Sequence, residues 1–146
     1  MNRHIRSVAI GLGVALAGAQ LLQPRLSSYR GNGSTGSNDL LRDRAVDPRI
    51  RSILKRACAD CHSNQANLPW YGRVSPISWF IARHIERGRE KLNFSEWPKH
   101  SEDERQDIAD SVEKNEMPIW SYLFVHRGAR LTPEDRKVIE RWVDSR

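Results

Sequence analysis

Both cysteines of this 146-residue chain lie in one short run, Cys58-Ala59-Asp60-Cys61-His62. This Cys-x-x-Cys-His (CxxCH) pattern is typical of covalent c-type haem attachment. Two thiols three positions apart on one turn can each bond a vinyl group of the same porphyrin. The histidine that follows can then give an imidazole nitrogen to the iron. The run therefore predicts one covalently bound haem c, held by Cys58 and Cys61, with His62 as the proximal iron ligand.

Other interpretations of the same cysteines are weaker. A thioredoxin-like redox pair sits at the start of a helix after a strand, whereas the residues before Cys58, DPRIRSILKRA, have a helical pattern. A structural zinc site needs about four Cys or His ligands, and none of the candidates His84, His100 and His126 has zinc-knuckle spacing. A disulfide across two intervening residues is geometrically tight and gives the following histidine no role.

The second axial ligand is predicted at Met117, which stands before Pro118 and is the only methionine besides the initiator. A thioether opposite the histidine stabilises ferrous haem and raises the reduction potential. The proline restricts the backbone beside this ligand. His84 and His126 remain alternatives, since His84 lies on the apolar side of a predicted helix and His126 lies nine positions beyond Met117. His100 stands in a polar stretch, where we expect it to be solvated.

Several aromatic and basic side chains are candidates for the walls of a haem pocket. Trp70 and Trp79 are proposed as wall residues because the chain has five tryptophans, although large aromatic side chains also fill the cores of small domains. Arg83, together with Arg73 and Arg89, is a candidate to hold haem propionates, because a guanidinium can form two hydrogen bonds with one carboxylate. The alternative for each arginine is a solvated surface position.

The elements that must position these residues have helical patterns. Asp47-Pro48, Ser75-Pro76 and Thr132-Pro133 are each an N-cap followed by a first-turn proline, and Ser101 with Glu104 forms a capping box. These signals predict helices over the segments DPRIRSILKRA, ISWFIARHIERGREKL, EDERQDIADSVEKNE and EDRKVIERWVDSR. The third has few apolar residues, mainly Ile108 and Val112, and is predicted to lie on the surface. The sequence thus predicts an all-α bundle of about four short helices around one haem.

The start of the chain, MNRHIRSVAIGLGVALAGAQLLQ, places two arginines before an apolar stretch. Residues 1–24 are predicted to be a signal peptide or a signal anchor, residues 25–45 a flexible tether rich in Gly, Ser and Asn, and residues 46–146 the c-type haem-binding domain. The small residues at 17–19 favour cleavage, whereas apolar residues continue beyond them. Because the arginines hold the start in the cytoplasm, the domain is predicted on the periplasmic side of the bacterial cytoplasmic membrane, anchored or soluble after cleavage.

The formal net charge is +6, with Lys and Arg interleaved with Asp and Glu, as on solvated helix faces. No basic stripe is interleaved with aromatic residues, so nucleic acid is not an expected partner. The positive excess could steer an acidic redox partner. The sequence offers no convincing acid–base pair for peroxide chemistry, and we expect an electron carrier and not an enzyme.

With these residues identified, two resemblances can be stated. The order of helix, CxxCH, Met-Pro loop and final LTPEDRKVIERWV helix resembles the class I c-type cytochrome fold, in which the N- and C-terminal helices cross and His and Met ligate the iron. More closely, residues from about 47 to 143 resemble the bacterial haem-binding domain family of small CxxCH proteins. The matching stretches are CADCHSNQANLPWYGRVSPISWFIARHIERGREKLNFSEW, EMPIWSYLFVH and LTPEDRKVIERWV.

The family resemblance implies covalent haem binding through Cys58 and Cys61, with His62 proximal and Met117 in the family's Glu-Met-Pro stretch. It also implies one apolar segment at the start of the chain, which favours the anchor. The expected function is a mono-haem cytochrome-like carrier of single electrons between partner proteins. The alternative is a haem-based sensor or peroxidase-like protein with a labile sixth ligand, and a third hypothesis is a thiol oxidoreductase that binds no porphyrin.

Overall fold

The computed structural model of the chain describes residues 3–22, 38–99 and 102–145. Within those ranges the regular structure is entirely helical, so the all-α prediction is confirmed. The α-helices are α1 (Arg3–Leu21), α2 (Pro48–Ala57), α3 (Ala59–His62), α4 (Ile77–Lys91), α5 (Glu102–Glu113), α6 (Trp120–Val125) and α7 (Pro133–Asp144). Short 3₁₀ segments connect them at Trp70–Arg73, Phe94–Lys99 and Arg127–Ala129.

Two of the predicted helix starts have the expected caps. Asp47 accepts a hydrogen bond of 2.7 Å from the Arg49 N–H, and Pro48 occupies the first helical position of α2. At α7, the Thr132 hydroxyl accepts from the Asp135 N–H at 3.1 Å, while the Asp135 carboxylate accepts from the Thr132 N–H at 2.8 Å. These caps satisfy backbone donors that a helix start leaves without an intrahelical partner.

The predicted N-cap at Ser75 is wrong. Helix α4 begins at Ile77 after Pro76, without a side-chain cap. The buried Ser75 hydroxyl instead donates to the Ala19 carbonyl at 3.1 Å and contacts the Ser78 hydroxyl at 3.3 Å. The Ser75 hydroxyl, which the local pattern predicted as a helix cap, therefore forms a tertiary hydrogen bond to α1. The predicted cap at residue 101 of the next helix lies outside the described residues.

The main core lies between α2, α5, α7 and the 3₁₀ segment Phe94–Lys99. Helix α5 buries Ile108 and Val112 in this core, so the prediction that α5 lies on the surface holds only for its polar face. Trp97 and Trp142 pack against each other, with ring centroids 5.8 Å apart, and fill the core as large aromatic residues commonly do. Besides Trp97, Ile108 and Val112, the buried members of this core are Leu40, Leu41, Ile50, Ile53, Leu54, Ala59, Phe94 and Ile139.

The last part of the predicted tether, residues 38–45, packs onto the domain. Leu40 and Leu41 are buried, and the Leu40 N–H donates to the Phe94 carbonyl at 2.9 Å. The buried Asp39 carboxylate accepts from the Leu41 N–H at 2.9 Å and from the Gln65 side chain at 3.2 Å. The packed domain therefore extends back to residue 38, and residues 25–37 of the predicted tether lie outside the described residues.

Helix α1 is near the N-terminus, and none of its side chains is buried. By length and composition it could cross a membrane, although a signal sequence has the same properties. At 1.5 Å per residue it spans about 29 Å, close to the roughly 30 Å of a bilayer's hydrocarbon core. The helix is therefore compatible with either of the two predicted roles, signal or anchor.

Candidate functional site

One cavity of about 590 Å³ brings the motif residues and the methionine together. Cys58, Cys61 and His62 line it, as do Met117 and Pro118; we call it the CxxCH cavity. Its volume lies in the range of roughly 300–1,000 Å³ that is usual for organic ligands. Its apolar lining is supplied by Leu92, Phe94, Ile108, Val112 and Ile119.

The junction of α2 and α3 carries the motif. Cys58 ends α2, with its N–H donating to the Leu54 carbonyl at 3.0 Å, and it also precedes α3. The N–H groups of Cys61 and His62 both donate to the Cys58 carbonyl, at 3.2 and 3.0 Å. Residues three positions apart on such a turn are neighbours. The short helix α3 therefore holds both thiols and the imidazole beside one cavity.

The orientation of His62 is fixed by a backbone carbonyl. Its Nδ1 lies 3.1 Å from the oxygen of Leu92, and because a carbonyl can only accept, Nδ1 carries the proton. Nε2 is then a lone-pair donor suited to a metal, as in histidine ligands held by an outer hydrogen bond. Burial lowers the pKa of His62, although its backbone contacts with Leu92 and Gly88 oppose that shift. The imidazole is thus held neutral, the form that binds iron.

Both thiols are held in the protonated form. Burial raises the pKa of Cys58 to about 12, with the neighbouring Cys61 adding to the shift. Burial also raises the pKa of Cys61 to about 11, with the charge of Asp60 adding to it. Reactive dithiols have lowered pKa values, so these surroundings do not suit a thiol oxidoreductase.

Gly88 permits the close approach of α4 to the motif. A Cβ atom built at this buried position would lie 2.7 Å from the carbonyl oxygen of Cys61 and 3.2 Å from its carbonyl carbon. A Cβ atom essentially never lies within 3.0 Å of a backbone oxygen, so a side chain fits here only with a shift of one helix. The sequence signal was a glycine inside a helical pattern, where glycine is otherwise unfavourable.

The segment that carries Met117, residues 114–119, is tied to the helices on either side; we call it the methionine loop. The Met117 N–H donates to the Ser111 carbonyl at 3.1 Å. Asn115 has a φ of 57°, the left-handed conformation that often ends a helix. Arg136 of α7 donates to the Val112 carbonyl and, at 2.8 Å, to the Asn115 side chain. The loop is therefore positioned by hydrogen bonds from both α5 and α7.

A family model described as a haem-binding domain matches residues 14–145, nearly the whole chain. The chain belongs to the haem-binding domain family. Neither the curated proteins nor the solved structures provide a match to this haem-binding domain. The matched region begins inside α1, so the second half of that helix is part of the family pattern.

The CxxCH cavity of this haem-binding domain fits a haem in three respects. Its apolar residues suit the porphyrin faces, and the thiols and imidazole of one turn suit the porphyrin edge and the iron. The exposed cations Arg87, Lys91 and Lys114 also line it and suit the propionate carboxylates. Sequence reasoning missed these three cations, because α4 carries several basic residues without a distinctive spacing and Lys114 is a single lysine just after α5.

Three residues predicted for the pocket wall lie elsewhere in this haem-binding domain. Trp70 is exposed and contacts Tyr71 edge-on, with ring centroids 5.8 Å apart. The Trp79 ring N–H donates to the Leu22 carbonyl at 3.2 Å, and Arg83 is exposed on α4. None of these three is among the residues that line the CxxCH cavity, whose apolar walls are aliphatic apart from Phe94 and Tyr122.

The other two predicted arginines, Arg73 and Arg89, are not among the residues that line the cavity. Arg73 is exposed at the end of its 3₁₀ segment. The Arg89 guanidinium donates from Nε to the Ser63 carbonyl at 2.8 Å, so this side chain fastens α4 to the residues just after the motif. Arg89 therefore has a structural contact, and its predicted role at a haem propionate stays a prediction.

The structure places the candidate histidines differently with respect to the CxxCH cavity. His84 lines the CxxCH cavity, with Nδ1 2.8 Å from the Phe80 carbonyl, so its Nε2 is available. His126 lies outside this cavity. Its ring stacks on Tyr122 with centroids 4.1 Å apart, and its Nε2 is 3.3 Å from the Tyr71 hydroxyl. The geometry leaves Met117 and His84 as neighbours of the cavity, and His100 lies outside the described residues.

Tyr122 is a further residue of the cavity that the sequence reasoning missed. Its hydroxyl donates to the Asp60 carboxylate, which lies between the two cysteines, at 2.7 Å. Burial raises the pKa of Tyr122, and the hydrogen bond to Asp60 and the charge of that carboxylate add to the shift. The bond ties α6 to the motif turn. Its partners are 62 positions apart in the chain, so no local pattern predicts it.

Proposed function

We propose that this haem-binding domain is a mono-haem c-type cytochrome-like protein that carries single electrons on the periplasmic side of the bacterial cytoplasmic membrane. The proposal is supported above all by one observation, the presence of the CxxCH turn and the methionine loop at a single cavity. The family match supports haem as the cofactor. Covalent attachment, the identity of the sixth ligand and electron transfer are the parts that we propose.

In this proposal each side chain has a binding or tuning role. Bound haem supplies one-electron chemistry at its iron. Cys58 and Cys61 would hold the porphyrin by thioether bonds, and His62 would coordinate the iron through Nε2 while its Nδ1–H bonds to Leu92. Met117 would occupy the sixth position, where a thioether raises the reduction potential. We assign no acid–base role to any residue, so the protein is proposed to be a carrier and not an enzyme.

The proposed location depends on α1. Arg3 and Arg6 lie in the first turns of α1, and positive residues at this place hold the start of an apolar segment in the cytoplasm. The domain after α1 would then be on the opposite side, where c-type haem is attached in bacteria. We propose that α1 is retained as an anchor, because the family pattern includes its second half.

The assignment of the sixth ligand is tested on holoprotein made with the bacterial haem-attachment machinery. We expect Met117→Ala to lower the reduction potential and to let the ferrous iron bind carbon monoxide, while haem stays attached. His84→Ala is the matched control, since His84 lines the same cavity, and we expect it to leave both properties unchanged. The opposite result, a change in the His84 variant alone, would assign the sixth position to His84.

A sensor or peroxidase-like protein is the second candidate function. The observation that favours it is the exposure of Met117, whose surface is 39 % accessible, since a partly solvated ligand is easier to displace. The two candidates differ in the behaviour of the unmodified ferrous protein. Ready carbon monoxide binding would favour the sensor or peroxidase-like function, and resistance to carbon monoxide would favour the electron carrier.

A further inference from the structure

We propose that the edge of the domain from Val74 to Phe80 lies on the membrane surface that α1 leaves, with anionic lipid headgroups as its partner. We call this segment, which covers the turn before α4 and its first residues, the α4 edge. The inference rests on the proposed retention of α1 as an anchor. It adds a proposed orientation of the domain on the bilayer. Neither the family match nor the haem site accounts for the properties of this edge.

The first observation is that the C-terminal end of α1 is fastened directly to the α4 edge. The Ser75 hydroxyl donates to the Ala19 carbonyl at 3.1 Å, and the Ser75 N–H donates to the Gln20 side chain at 3.4 Å. The Trp79 ring N–H donates to the Leu22 carbonyl at 3.2 Å. These contacts hold the α4 edge beside the end of α1. If α1 spans the bilayer, the α4 edge therefore lies at the membrane surface where α1 emerges.

The second observation is the composition of the exposed surface at this place. Val74, Ile77, Trp79 and Phe80 are between 40 and 51 % exposed, although all four are large and apolar. Tryptophan is enriched where a protein meets the lipid headgroups, because its ring is apolar and its N–H is polar. Apolar side chains on a turn beside the headgroups can insert into the boundary between headgroups and acyl chains, where they are removed from water.

The third observation is the charge around the edge. From residue 62 to residue 85 the sequence contains no Asp or Glu. Arg73 and Arg83, which are both exposed, flank the α4 edge in the sequence. Acidic residues return only at Glu86, beyond the first turns of α4. A cationic rim around an apolar edge suits anionic lipids, which attract arginine and lysine close to the membrane surface.

The same geometry places the cofactor site away from the lipid. Gly88 and Lys91, at the far end of α4, line the CxxCH cavity, and a helix rises about 15 Å over the ten residues from Ser78 to Gly88. With the N-terminal end of α4 on the membrane, the cavity would face the aqueous compartment. A soluble redox partner could then reach it without competing with the bilayer.

The proposal is tested on full-length holoprotein reconstituted in phosphatidylcholine–phosphatidylglycerol vesicles that contain a photoactivatable phospholipid. After illumination, mass spectrometry of peptides locates the lipid adducts. We expect adducts on α1 and on the α4 edge. Trp120 and Phe124 of α6 are the matched control, because they are more exposed, at 81 and 76 %, and we expect no adducts there.

A variant sharpens the same measurement. Ile77→Glu combined with Phe80→Glu places two negative charges against the anionic surface, and we expect several-fold fewer adducts on the α4 edge with unchanged labelling of α1. Phe124→Glu should alter neither. An unchanged haem absorption spectrum shows that each variant is folded. If a variant does not fold, the pattern of lipid adducts on the unsubstituted protein is the test.

The outcomes separate this proposal from the one on which it rests. Adducts on α1 without adducts on the α4 edge would overturn the membrane contact and leave the anchor intact. Equal labelling of the α4 edge and of α6 would also overturn the contact, since it would reflect exposure alone. A purified protein whose N-terminus lies beyond residue 22 would overturn both, while the haem assignment would stand.

Discussion

Replacing Gly88 by alanine is expected to destabilise the domain and to reduce haem attachment, although the same change usually strengthens a helix. In an unhindered helix interior, alanine is more favourable than glycine by about 1 kcal/mol. Here the added Cβ would lie 2.7 Å from the Cys61 carbonyl oxygen and 3.3 Å from the Cys61 Cβ. The carbonyl belongs to the backbone of α3, so no side-chain rotation relieves the contact.

The size of the effect follows from these two opposing contributions. Inserting a methyl group into a packed interior costs about 1–3 kcal/mol, and contact with rigid backbone places Gly88→Ala at the upper end of that range. After the gain in helix propensity, we expect a net loss of about 1–2 kcal/mol in the free energy of unfolding. For a domain of this size, each 1 kcal/mol lowers the melting temperature by about 4–8 °C.

The assay measures two quantities on protein made with the haem-attachment machinery. Urea unfolding of the holoprotein gives the free energy of unfolding, and the fraction of chain with bound haem gives the yield of attachment. Gly128→Ala is the matched control, because a Cβ at Gly128 meets nothing within 4 Å. That variant should have unchanged attachment and a stability equal to or above that of the unsubstituted protein, by up to about 1 kcal/mol.

If the Gly88→Ala protein is as stable as the unsubstituted protein and attaches as much haem, the expected clash with the Cys61 carbonyl is absent. This result would show that α3 and α4 can separate without cost, and that Gly88 does not position the motif turn. A loss of stability without any loss of attachment would limit the role of Gly88 to packing.

Three further variants test other contacts of the site and its supports. Tyr122→Phe removes the 2.7 Å hydrogen bond to Asp60, and we expect a loss of about 1–3 kcal/mol in the free energy of unfolding, measured in urea. Burial alone would raise the pKa of Asp135, but hydrogen bonds from its capping partner and from Arg56 hold that pKa below the usual value. The stabilisation from the Asp135 charge is complete above the unfolded carboxyl pKa of about 3.9 and is lost as pH falls through the lower folded pKa. The difference in urea midpoint between the unsubstituted protein and Asp135→Asn should therefore decrease from pH 7 to pH 2. Arg136→Ala removes the donor to Asn115 in the methionine loop and the donor to the Val112 carbonyl at the end of α5, and we expect faster carbon monoxide binding by the ferrous holoprotein.

Each of these expectations has a result that contradicts it. An unfolding free energy unchanged in Tyr122→Phe would mean that the bond to the motif turn contributes nothing. A difference in urea midpoint between the unsubstituted protein and Asp135→Asn that is the same at every pH would show that the charge of Asp135 does not stabilise the fold. For the methionine loop, Arg141→Ala on the same helix is the control, since the Arg141 side chain donates to the Lys137 carbonyl of its own helix. Equal carbon monoxide rates in both arginine variants would reject the role of Arg136.

The sequence predicted the parts of this molecule that depend on neighbouring residues. The caps at Asp47 and Thr132 are local hydrogen bonds, and the spacing of the CxxCH motif confines three of its side chains to one turn. Met117 was identified from its type and its proline neighbour, and the fold brings it to the same cavity as the motif. Its role as an iron ligand stays a prediction.

The positions that the sequence did not predict depend on distant contacts. The Ser75 hydroxyl bonds to a carbonyl 56 positions away in α1, so its local capping pattern was misleading. The number of tryptophans predicted large aromatic surfaces but not their positions, and Trp70 and Trp79 are not among the residues that line the cavity. The missed bond between Tyr122 and Asp60 likewise joins distant segments. In each case the packing of the helices, and not the local pattern, decides which groups meet.

The central claim, covalent attachment of one haem to Cys58 and Cys61, is tested most directly by intact mass spectrometry. The protein is produced with the bacterial haem-attachment machinery, extracted with acidified acetone to remove any non-covalent porphyrin, and weighed beside Cys58→Ser combined with Cys61→Ser. We expect the mass of the polypeptide plus one haem for the unsubstituted chain and the mass of the bare polypeptide for the double variant. A bare polypeptide mass for the unsubstituted chain, with all colour in the acetone, would contradict the central claim.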